Sequence, residues 1–138
     1  MSIESDCYSF LSGTTAITDL VGTRIYPEFL PQNPVYPALT YRLISAPHDH
    51  TLTAAAGVVR VRFQFDAFSE RLSETSEIIE AIRLSLQRAT GDFGDSEIMA
   101  SRQDNEQFFG MEPMDASQQY LYRKTADYII RLRATIPV

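Results

Sequence analysis

Residues 58–86 read VVRVRFQFDAFSERLSETSEIIEAIRLSL, and the change of period inside this stretch decides the fold. Up to Phe68 the apolar residues fall at every second position. Val59, Val61, Phe63, Phe65 and Ala67 share one side, and Arg60, Arg62, Gln64 and Asp66 share the other. Such alternation is that of a half-buried β-strand. Beyond Ser69 the period becomes helical: Thr75, Ile79, Ile82, Leu86 and Ala89 stack on one side, flanked by Ile78, Ala81 and Ser85. Glu70, Glu74 and Glu77 sit toward the N-terminal end of this helix and Arg83 and Arg88 toward its C-terminal end, which complements the macrodipole. Gly91 or Gly94 is expected to stop it. A strand with one apolar row running into an amphipathic helix implies a sheet with one face covered by helix.

Upstream, ALTYRLISA (38–46) alternates again, with Leu39, Tyr41 and Leu43 against Thr40, Arg42 and Ile44, and Pro47 closes it. It pairs naturally with the strand that follows as an antiparallel hairpin. The connection HDHTLTAAAG (48–57) is long for a hairpin, where two to five residues are usual. Before this strand, four of the seven prolines (Pro27, Pro31, Pro34 and Pro37) are interleaved with Ile25, Tyr26, Phe29, Leu30, Val35 and Tyr36. Large apolar groups between prolines point to a packed, extended connector, not to a domain linker or an exposed polyproline ligand. Residues 2–12 and 14–21 read as short helices split by Gly13. Ile3, Cys7, Phe10 and Leu11 form one apolar side, and Ala16, Ile17, Leu20 and Val21 the other. Thr14 or Thr15 can cap the second helix, and Gly22 ends it. Downstream come a weaker strand over Glu97 to Asn105, the turn-rich GMEPMDAS (110–117), and an alternating strand from Tyr120 to Ala134. The expected fold is α+β: a mainly antiparallel sheet of about four strands, one long helix packed on one face, and short N-terminal helices. Residues 1–138 are expected to form a single domain, a length that buries roughly 68% of its unfolded surface.

Charge narrows the function. The chain carries 18 acidic and 12 basic residues, a net charge of −6, where a dedicated nucleic-acid binder normally has a basic surplus. Eleven of the bases are Arg and only Lys124 is Lys, a skew toward the residue that protein interfaces favour. No run of eighteen apolar residues marks a membrane span. The first ten residues, MSIESDCYSF, lack the basic region and apolar core of a signal peptide. Arg42, Arg60, Arg62, Arg131 and Arg133 fall on the polar parity of their strands, but Gln64, Asp66 and Asp127 are mixed among them. Mixed sign suggests salt-bridged strands or a subunit contact more than a phosphate track.

No catalytic signature appears. There is no GxSxG, GxxxxGK[ST] or GxGxxG. His48 and His50 would point the same way on an extended backbone, but no third His exists, and a solvated loop is the plainer reading than a metal site. Asp92, Asp95 and Glu97 lack the spacing of a calcium loop. The single Cys7 reads as a small buried apolar side chain. No catalytic residue, metal or cofactor is assigned.

Taken in order, TAITDLVGTRIYPEFLPQN (15–33), YPALTYRLIS (36–45), the strand–helix stretch with its Asp66-x-Phe68 step, and LYRKTADYIIRL (121–132) with its Tyr-Arg opening resemble the tail-completion, or tail-terminator, family of long-tailed bacteriophages. The resemblance runs from about Tyr8 to Arg133. It implies a structural protein of the virion tail or neck, assembled in the host cytoplasm. Such proteins form a ring, commonly a hexamer, on the head-proximal end of the tail tube, stop its polymerisation and meet the head connector. The implied partners are further copies of the chain, the tail-tube protein and a neck protein. DNA passes through without specific binding, and no membrane is involved. Neighbouring roles, in another neck or head-completion ring or a non-enzymatic binding module, fit the same residues. A small metal enzyme using His48 and His50 is the remaining alternative. For a ring, Arg42, Arg60, Arg62, Arg131 and Arg133 are expected to face Glu74, Glu77 and Glu80 of a neighbour. The loop holding His48, Asp49, His50, Thr51, Leu52 and Thr53 is expected to order on assembly.

Overall fold

The alternating row at residues 61–67 forms the floor of the core. In the computed structural model, which describes residues 3–32, 35–45, 58–88, 91–93, 96–111 and 121–133, Val61, Phe63, Phe65 and Ala67 have no solvent exposure. They lie on β3 (Val58–Ser69), between β2 (Ala38–Ser45) and β6 (Leu121–Arg133). The remaining strands are β1 (Ile25–Pro27), β4 (Gly91–Phe93) and β5 (Ser96–Met111). They build a six-stranded sheet in the order β1-β2-β3-β6-β5-β4. All neighbours are antiparallel except β1 and β2, which run parallel. The fold class is thus α+β as expected, with six strands where about four were expected.

Both extra strands are three-residue edges. β1 arises within the proline stretch, where Arg24 Nε donates to the Pro37 carbonyl (2.6 Å) and Leu39 N–H donates to the Arg24 carbonyl (3.0 Å). The guanidinium thus ties the two ends of the stretch together and brings Ile25 opposite Leu39. The Tyr36–Pro37 peptide is cis. The connector is only partly packed: Ile25 is buried and Tyr26, Leu30 and Tyr36 half-buried, but Phe29 is 74% and Val35 63% exposed. The long helix is described to Arg88 and Gly91 begins β4; residues 89 and 90 between them, and Gly94, lie outside the described residues.

The weak strand expected over 97–105 is the longest, at 16 residues. Its polar run Arg102–Gln107 hides it from a count of apolar positions, but its neighbour supplies the reason for its length. β6 has 13 residues, paired along β3 on one side and along β5 on the other. Register shifts at Ile98/Ala100 and Gln103/Asn105 bend β5 alongside it. GMEPMDAS was expected as a connector, but Gly110 and Met111 complete β5; residues 112–120 lie outside the described residues.

Among the described residues, three helices cover the apolar face. α3 (Leu72–Arg88) lays Thr75, Ile78, Ile79, Ile82 and Leu86 on β3, β6 and β5. Its entry is tied by Ser69, whose hydroxyl donates to Glu74 (2.5 Å) and accepts from Arg71 N–H (3.1 Å). Glu74 therefore works as an acceptor in the first turn, while Glu70 lies ahead of the helix. α1 (Ile3–Ser12) contributes Cys7 and Leu11 to the same cluster, and α2 (Thr15–Val21) contributes Ile17 and Val21. Gly22 ends α2 with φ +60°, a conformation that a Cβ would strain. An aromatic chain runs through the core from Phe10 to Phe93 (5.2 Å), Phe63 (6.1 Å), Phe65 (6.1 Å) and Tyr128 (5.8 Å). Burying each such ring stabilises the fold by roughly 1.5–3 kcal/mol. Burial pushes the Tyr128 hydroxyl above its ordinary value, with Glu106 adding to the shift.

Candidate assembly face

With helices on one side, the other side of the sheet carries the alternate residues of every strand. Register places Thr40, Arg42, Gln64, Asp66, Asp127 and Thr125 across the middle, with Arg60 opposite Arg131 at one end and Phe68 opposite Arg123 at the other. β5 adds Arg102 opposite Ile129. Among the described residues no helix covers this face, and these side chains contact one another.

The end of the face near Phe68 is a closed polar network. Asp66 is 3% exposed and accepts from Thr125 Oγ1 (2.5 Å), Arg123 Nη2 (3.3 Å) and Gln64 Nε2 (3.2 Å). Arg123 also lies over the Phe68 ring at 5.8 Å. A carboxylate this deep needs such donors to offset its lost hydration. The Asp66-x-Phe68 step on β3 and the Tyr122-Arg123 opening of β6 thus meet in space, although 57 positions separate Asp66 from Arg123.

The middle is neutralised within the chain. Arg62 bridges Asp104 (2.5 Å) and Asp127 (3.2 Å), and these partners hold its guanidinium even more firmly protonated than usual. Arg42 pairs with Glu28 (3.2 Å) and lies over the exposed Phe29 ring at 5.6 Å. Asp104 was missing from the sequence reading because the bulge at Gln103/Asn105 carries it toward Arg62, and a bulge leaves no residue signature of its own.

The end near Arg60 is different. Arg60 and Arg131 face each other directly, both exposed, and Arg102 lies diagonal to Arg131. With Ile129 these three line a depression of about 250 Å³. None of the three has an ion pair or hydrogen bond among the described residues. Arg133 ends β6, and its side chain lies outside the described residues.

The expected acidic partners lie on the opposite layer. Glu77 and Glu80 are exposed along α3 with Leu84, at positions that share one side of the helix. Glu80 is held by Arg83, whose hydrogen bond keeps the Glu80 carboxyl below its ordinary value. Glu77 has no such partner among the described residues. Glu74 is engaged by Ser69 and sits half-buried. Glu77 and Glu80 thus lie on the layer opposite Arg42, Arg60, Arg62 and Arg131, an arrangement in which they meet only between copies. Ala16, Ala81 and Leu84 line an open groove beside Glu77 and Glu80, with Lys124 at its edge.

The sequence-level assembly loop, His48 to Thr53, lies outside the described residues, as do the His48/His50 pair and Asp95. Among the described residues no three His, Cys, Asp or Glu groups stand close enough to hold a metal ion, and no helix is long and apolar enough to cross a membrane. Cys7 is fully buried; burial first, then Asp6 and Glu4, push its thiol well above the ordinary value.

Fold and face together define a small α+β sheet protein whose described helices lie on one side of the sheet, with a charge-patterned face on the other. Over residues 6–118 the sequence matches the family described as Tail completion protein gp17, and the chain belongs to that family. Its fold is similar to that of a chain in the virion of a native gene transfer agent particle, with a TM-score of 0.62 and 13% sequence identity over 95% of this chain and 94% of that one. No curated protein matches the sequence. Family membership makes the chain a tail-completion protein, and the likeness to the gene transfer agent chain is one of fold.

Proposed function

We propose that this protein is a tail terminator: a homo-oligomeric ring, hexameric by expectation, that caps the head-proximal end of the tail tube, stops its growth and presents a surface to the head connector. Membership of the tail-completion family over residues 6–118 carries the reading. The layered fold supports it, because an Arg-bearing sheet face and a Glu-bearing helix on opposite surfaces suit head-to-tail contacts, which close into rings. Arg42, Arg60, Arg62, Arg131 and Arg133 on one copy, against Glu74, Glu77 and Glu80 on the next, are the residues proposed for that contact. The role is structural and needs no cofactor; the partners are the chain itself, the tail-tube protein and a neck protein. DNA is expected to pass the ring without specific binding.

Mass photometry across a concentration series, alone and with purified tail-tube protein, tests this. A discrete six-subunit species, seen as a ring at one end of tubes of limited length, is the expected result. Tubes that grow to the same lengths with and without the protein would overturn the reading.

A further inference from the structure

Six arginines with described side chains lie on the open sheet face, and they divide into two sets. Arg42, Arg62 and Arg123 each have a carboxylate partner within the chain at 3.3 Å or less. Arg60, Arg102 and Arg131 have none among the described residues, yet they gather around one depression of about 250 Å³. Like charges placed directly across a strand pair, as Arg60 and Arg131 are, oppose pairing. The isolated subunit therefore carries a local cost that an incoming anion relieves.

We infer that Arg60, Arg102 and Arg131 form a carboxylate-binding site for a second copy of this chain, and that it takes Glu77, with Glu80 beside it, from that copy's α3. This rests on the ring reading above and narrows it to one end of the sheet face, adding Arg102. Charge and shape argue for that occupant. The receiving depression includes the half-buried Ile129 beside its three guanidinium groups. The donating side of α3 sets Glu77 and Glu80 next to the exposed Leu84 and the groove it forms with Ala16 and Ala81. Arg forks match carboxylates in a bidentate way, and such pairs are well suited to fixing register between copies. A duplex phosphate track fits less well. The three arginines are clustered and not spread along a line, and Asp104 and Asp127 stand on the same face next to Arg62.

The experiment is a charge swap on the full chain. Arg102→Glu alone, and Glu77→Arg alone, are each expected to weaken subunit association at least ~tenfold by mass photometry. Arg102→Glu combined with Glu77→Arg is expected to restore it, which a merely structural role would not do. Arg131→Gln is a second probe. It is expected to leave the thermal melting point of the free subunit unchanged or higher, while ring formation falls. If the wild-type ring forms and Arg102→Glu leaves it intact, the site is wrong and the ring reading stands. If Arg102→Glu leaves association unchanged but abolishes retention on double-stranded DNA, the site reads phosphate and the inference is overturned. If electron microscopy of assembled particles shows a single copy at the tail end, both readings fall together.

Discussion

Asp66 shows how a single side chain joins sequence motif to fold. It is buried on the sheet face away from the described helices, and Thr125, Arg123 and Gln64 all donate to it. Asp66→Ala removes the common acceptor and leaves three donors competing for water at a site that excludes it. A loss of roughly 2–3 kcal/mol in unfolding free energy is expected by urea titration. Asp66→Asn keeps the shape but replaces one acceptor oxygen with a donor, so its loss should lie close to the Ala value. Cys7 gives the opposite kind of prediction. Its thiol is fully buried and held protonated, so thiol reagents are expected to leave the native protein unmodified at neutral pH and to react fully after denaturation. Tyr41 gives a test at alkaline pH. Burial foremost, with Cys7, Tyr8 and Glu4 contributing, pushes its hydroxyl up to about 12. A raised pKa means the fold prefers the protonated phenol, so this contribution is complete below the unfolded value of about 10 and is lost as pH rises toward 12. Melting temperature is expected to be insensitive to this phenol through neutral pH and to fall above about pH 10, as phenolate absorbance rises.

At the scale of elements, what the sequence made legible follows from how regular each pattern is. β3 and α3 were readable because their periods are clean and adjacent, and both the strand and the helix lie where the pattern put them. β1 and β4 were not readable, since three residues are too few for any period to show, and β1 exists because Arg24 holds the Pro37 carbonyl. β5 was underestimated because Arg102, Asp104, Asn105, Glu106 and Gln107 are all exposed, so no apolar alternation advertises the strand; only its pairing with β6 does. On the sheet face, the residue parity of Arg60, Arg62 and Arg131 was legible, while Asp104 and the grouping of Arg102 with Arg60 and Arg131 depend on register and a bulge. The junction between β3 and α3 gives a test at this scale. Ser69 is fully buried and serves Glu74 and Arg71 at once. Ser69→Ala should cost about 1 kcal/mol, read as a lower denaturation midpoint with unchanged slope. Ser69→Thr keeps the hydroxyl but adds a methyl group at a site with no exposure, so it separates the hydrogen bond from the packing.

For the whole molecule, the two layers divide the labour. The helix side builds the core that makes the subunit stable, whereas the sheet side contributes little apolar burial and carries its charges in a fixed pattern. Within that pattern, Arg42, Arg62 and Arg123 already hold carboxylates of their own chain, so a partner adds less at each of them than at an arginine without one. The salt response of association should therefore come from Arg60, Arg102 and Arg131. Raising salt from about 0.05 to about 0.5 M shortens the screening length from roughly 14 Å to roughly 4 Å, which weakens attraction between exposed charges on separate copies. The proposed ring of the wild-type chain is expected to dissociate progressively over this range in sedimentation velocity. A variant with all three residues changed to Gln should associate more weakly at low salt and show almost no further response as salt rises. The free subunit should respond in the other direction, because the same screening eases the repulsion between Arg60 and Arg131 across β3 and β6. A wild-type ring that ignores salt, or a triple variant with the full wild-type response, would place the electrostatic contact elsewhere on the surface.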